Sequence, residues 1–66
     1  MNQLEVRTQI AKLIGKTGHI NLLHAITQVL AEQAAQTQNA IEANNLNLDR
    51  CVIEEAIFTI YHERNR

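Results

Sequence analysis

The side chains through which this chain could do chemistry are one cysteine, three histidines and seven carboxylates, and their spacing limits what they can do together. A metal site built on helices needs His and carboxylate ligands at i, i+3 or i, i+4, where both reach the ion from one face. His19 and His24 are five residues apart and point to different sides, and neither Glu-x-x-His nor His-x-x-x-His occurs. Glu55 and His62 lie two turns apart on one face, which supplies two ligands where a structural zinc site needs four. The histidines are therefore expected in solvent, with no metal and no cofactor. Cys51 is the only reactive candidate, and a chain this short has few ways to hold a base beside it and exclude water. It is expected to be an ordinary semi-buried side chain in the first turn of a third helix. Gly15-Lys16-Thr17 matches the end of a phosphate-binding loop, but Ile10 stands where that motif needs its first glycine and no strand precedes it. No catalytic residue is assigned, and the chain is expected not to be an enzyme.

The frame that must position these residues is small. Sixty-six residues lie near the lower limit at which one hydrophobic core supports itself. Of the apolar side chains 18 are Ile, Leu or Val and 8 are Ala, with Phe58 and Tyr61 the only aromatics, so the core should be aliphatic and shallow. A lone cysteine cannot close an internal disulfide and fits a reducing compartment. No apolar run of about 18 residues could span a bilayer, and no basic start leads into an apolar signal segment. These features predict a cytoplasmic protein without membrane contact. Net charge is −1, and the stretch from Thr17 to Asp49 contains neither Lys nor Arg, so the middle of the chain has nothing to set against a phosphate backbone. Nucleic acid is not the expected partner.

Proline is absent, the only glycines are Gly15 and Gly18, and β-branched residues never alternate with polar ones over a strand's length, which together predict helix throughout. The expected fold is all-α, a single domain forming a three-helix bundle with helices over about 3–14, 19–43 and 48–63. Asn2 with Glu5 makes a weak capping box at the first. Val6, Ile10, Leu13 and Ile14 form its apolar stripe, Gly15 suits the left-handed terminating residue, and Thr17 is available as the next N-cap. The second helix is expected to stop at Asn44-Asn45, with a core face running from Leu22, Leu23 and Ile26 through Val29 and Leu30. At 1.5 Å per residue it would be nearly 40 Å long, more than its neighbours can cover. The third helix carries Val52, Ile53, Ala56, Ile57, Ile60 and Tyr61 as its main stripe.

The functional expectation follows from what the helices leave uncovered. Small residues at Ala31, Ala34, Ala35 and Ala40, with Ile41, would let the overhanging second helix pair closely with its own copy, so a homodimer is expected to complete the bundle. On the third helix Cys51 and Phe58 lie opposite the main stripe, among Glu54, Glu55 and His62. An aromatic set in a polar rim suits a protein contact. These sites predict a small helical protein-protein interaction module, a self-associating subunit or regulator that docks onto a larger assembly. The alternative is a helix-turn-helix-like nucleic-acid-binding regulator, whose outline the first two helices share. His19, Asn21, Lys12 and Lys16 are a poor recognition set for it.

Overall fold

The computed structural model describes residues 2–66 and contains three helices, α1 (Gln3–Thr17), α2 (His19–Gln36) and α3 (Ala40–Arg64). The expected all-α fold of three helices is the one observed, but the long helix is the third, not the second. Its 25 residues account for the 38 Å length of the molecule.

The first junction is tighter than expected. Asn2 caps α1 as anticipated, its side-chain oxygen accepting from the Glu5 N–H at 2.8 Å. The helix then runs straight through Gly15 and ends at Thr17. Gly18 alone separates α1 from α2, with φ 85° and ψ 153°, a region open essentially only to glycine. The terminating role assigned to Gly15 thus belongs to Gly18. Thr17 is the last residue of α1 rather than a cap, and α2 starts without a side-chain cap. Asn21 ties the corner by donating to the Thr17 carbonyl at 2.8 Å.

The second junction falls at 37–39, not at Asn44-Asn45. Asn39 accepts from the Ile41 and Glu42 N–H groups at 3.0 and 3.1 Å, while Thr37 accepts from the Asn39 N–H at 3.3 Å. Asn39 followed three residues later by Glu42 is the start signal of a helix, satisfying two of its orphan donors at once. Asn44, Asn45 and Asn47 lie inside α3. Asn44, Asn45 and Asn47 are exposed there, so their cost is a modest propensity loss and not a buried polar group.

What holds α2 against α3 is a matched spacing. Apart from Leu22 near the first corner, the covered positions are Ile20, Leu23, Thr27, Leu30 and Ala34 of α2 with Thr37 just past its end, and Ala43, Leu46, Arg50, Ile53, Ile57 and Ile60 of α3. Both sets alternate steps of three and four, the spacing of an antiparallel coiled coil. Folding at 37–39 sets each α2 position opposite the α3 position equidistant from residue 40, from Thr37 with Ala43 to Ile20 with Ile60. At the open end Arg64 donates from Nη2 to His19 Nε2 at 3.1 Å, because a guanidinium has no acceptor to offer. Mid-seam, Thr27 satisfies its hydroxyl on the His24 carbonyl, and Arg50 pairs with Glu54 at 3.0 Å while its Nε is buried without a partner.

α1 takes no part in this seam. No Cα of α1 comes within 8 Å of α3, and its contacts are with α2 alone. The molecule measures 38 × 33 × 16 Å. Two packed helices are only about 14 Å across, so the 33 Å width is α1 projecting sideways as an arm. The radius of gyration, 13.8 Å, exceeds the roughly 10.8 Å of a compact chain of this length.

Candidate interaction surfaces

A hairpin sealed along one stripe leaves every other face open. Among the described residues Ile57, 4% exposed, is the only buried hydrophobic side chain, and Thr27 is the only buried polar one. The total accessible area is 5392 Å², against about 4,200 Å² expected for a folded monomer of this mass. The excess is roughly 1,100 Å², and exposed apolar side chains stand on three surfaces.

The first is the outward side of α3. Cys51, Glu54, Glu55 and Phe58 line one shallow cleft with Thr59. Phe58 is 73% exposed, and its ring stacks on the His62 imidazole one turn later, 6.4 Å between centroids and 11° between planes. The structure therefore brings together all five residues that the sequence assigns to a partner contact. Cys51 departs from expectation in detail: it lies about three turns into α3, not in its first turn, and its thiol is exposed.

The small-residue set is not brought together. Ala34 is half-covered in the α2 and α3 seam, Ala31 and Ala35 are exposed on α2, and Ala40 and Ile41 lie beyond the break in the first turn of α3. The uninterrupted stripe that would have paired helix with helix does not exist, because the chain turns at 37–39. The length mismatch expected of the second helix disappears for the same reason, since α2 and α3 match along the seam.

The second and third surfaces carry residues expected in a core. On α1, Leu4, Ile10, Ala11 and Ile14 border a shallow apolar trough, and Leu13 beside it is 45% exposed. On one side of the hairpin seam, Ile26 and Val29 of α2 and Val52 of α3 stand 38%, 48% and 64% exposed. The signal that could have separated these from the seam is the three-four spacing of Ile20 to Thr37, which excludes Ile26 and Val29 and continues in α3 straight through the asparagines.

The titratable side chains do not converge. His19 sits on Arg64, His24 stands alone on α2 and His62 stacks on Phe58. Among the described residues no three of His, Cys, Asp and Glu are grouped as metal ligands would be, and no helix is long and apolar enough to cross a membrane. No family model matches this chain, and neither the curated proteins nor the solved structures searched contain a match.

Proposed function

We propose that this chain is a non-enzymatic helical protein-protein interaction module, a small self-associating subunit or regulator that docks onto a larger assembly. The observation that carries the reading is the surplus of accessible surface, about 1,100 Å² more than a self-contained chain of this mass exposes. Large aliphatic side chains on all three helices contribute to it. Apolar surface left in water forgoes stabilisation of about 25 cal/mol per Å², which favours a partner that covers the exposed aliphatic side chains. The Phe58 cleft supplies the contact for the larger assembly. Its acidic rim of Glu54 and Glu55 suits a protein segment that offers an apolar pocket edged with basic side chains.

Self-association couples to folding, so the thermal unfolding midpoint should rise with protein concentration. Circular dichroism melts over a roughly hundredfold concentration range, with sedimentation equilibrium alongside, test this. A heat-resistant monomer whose midpoint ignores concentration would overturn the reading. Nucleic acid is not the proposed partner, since α2 contains no Lys or Arg and phosphate contacts need them.

A further inference from the structure

Two of the uncovered surfaces complement each other. One is the stripe Val6, Ile10, Leu13 and Ile14 on the projecting arm α1. The other is the side of the hairpin on which Ile26, Val29 and Val52 stand exposed, which we call the groove. In an antiparallel pair, the residues immediately before the seam positions Thr27 and Ile57 fall on the same side. Ile26 and Ala56 therefore flank the groove, with Val29 and the half-covered Leu22 beside the first and Val52 beside the second. Charge also matches. Along the α3 wall Glu42, Asp49 and Glu63 recur with Ala56 at seven-residue intervals, whereas α1 carries Arg7, Lys12 and Lys16 against the single Glu5.

The arm cannot reach the groove of its own chain. Antiparallel neighbouring helices need a connection of about 2–5 residues, and Gly18 is the whole of this one. A second copy has no such restriction.

We propose that the chain forms an arm-exchanged dimer, in which α1 of each copy lies along the Leu22, Ile26, Val29, Val52 and Ala56 groove of the other. This rests on the self-association reading above and names its geometry. The exchange is symmetric and closed, leaving neither arm nor groove free to recruit a third copy.

Two charge insertions test it, Ile10→Glu on the arm and Val52→Glu in the groove. Both sites are exposed in the single chain, 40% and 64%, so neither substitution buries a charge within it. In sedimentation equilibrium the unaltered protein should be a dimer, and each variant should dissociate about a hundredfold or more readily. An equimolar mixture of the two variants should recover a one-to-one dimer, because one intact arm and one intact groove remain. Circular dichroism reports whether each variant is still helical, and Leu13→Ser replaces Ile10→Glu if it is not. Dimers that persist in both variants, or helical monomeric variants that fail to complement each other, overturn the exchange while leaving self-association standing. An unaltered protein that is monomeric at every concentration overturns both.

Discussion

α1 and α2 are built alike, amphipathic helices of 15 and 18 residues joined through one glycine, yet only α2 is locked to a neighbour. The difference is not in the helices but in what lies opposite them. α2 meets α3 in a register where each step of three or four has its counterpart, from Ile20 with Ile60 to Thr37 with Ala43. α1 has an equally regular stripe, but beyond its corner at Gly18 it makes no contact with α3. Amphipathicity alone therefore does not decide burial; the length and direction of the connection do. A chain can hold both halves of a good interface and still be unable to join them to each other.

The comparison breaks most sharply at the seam. Among the described residues Ile57 is the one buried hydrophobic side chain, and its truncation removes the best-covered apolar contact of the seam. Ile57→Ala should cost about 2–5 kcal/mol, a large fraction of the stability of a domain this small. Helicity measured by circular dichroism should fall at every protein concentration. Ile10→Ala on the arm, by contrast, should leave the melt of dilute protein within about 0.5 kcal/mol of the original, as expected for an exposed site. Equal losses from the two substitutions would mean that α1 is as much a part of the single chain's core as α3.

The two glycines sharpen the comparison at the corner. Gly18 holds a conformation that a side chain enters only at about 1–3 kcal/mol. Because α1 makes so little contact, Gly18→Ala can relieve that strain by swinging the arm, so the loss should appear in association and not in hairpin melting. Gly15 is an ordinary helical residue with nothing within 4 Å of where a Cβ would stand. Gly15→Ala should therefore stabilise α1 by about 0.5–1 kcal/mol, read as a gain in helicity. If Gly15→Ala weakened association instead, the arm would have to be closely approached at that residue in the dimer.

The helical class was legible because little in the chain competes with it: no proline, no strand-length alternation of β-branched with polar residues, and Asn2 in place as a cap. The hairpin's turn was not. Asn44, Asn45 and Asn47 look like a stop because asparagine favours turns, and Asn39 looks like one more polar residue in a Gln- and Ala-rich stretch. The deciding features are cooperative. Asn39 caps only because Glu42 and Ile41 follow it, and the asparagines inside α3 are tolerated only because Ala43, Leu46 and Arg50 keep the seam in step around them. The contact patch on α3 was readable from one helix alone, since Cys51, Glu54, Glu55, Phe58 and His62 are grouped by helical spacing wherever the helix begins. The arm and groove were not, because their exposure depends on the angle at Gly18, which no periodicity encodes.

That independence of the α3 patch leads to the smallest effect on stability and a selective one on function. Phe58 is more exposed than any seam residue, and its one aromatic neighbour is His62 within the same helix. Phe58→Ala should change the unfolding free energy by less than about 0.5 kcal/mol and leave the dimer intact, because the groove proposed for α1 lies on the other side of the seam. Binding to the larger assembly should fall by 2 kcal/mol or so, the scale of a central aromatic anchor. Calorimetric or surface-based binding measurements beside sedimentation equilibrium would separate the two readouts. Were Phe58→Ala to dissociate the dimer, the aromatic patch rather than the aliphatic groove would be the surface through which copies of this chain meet.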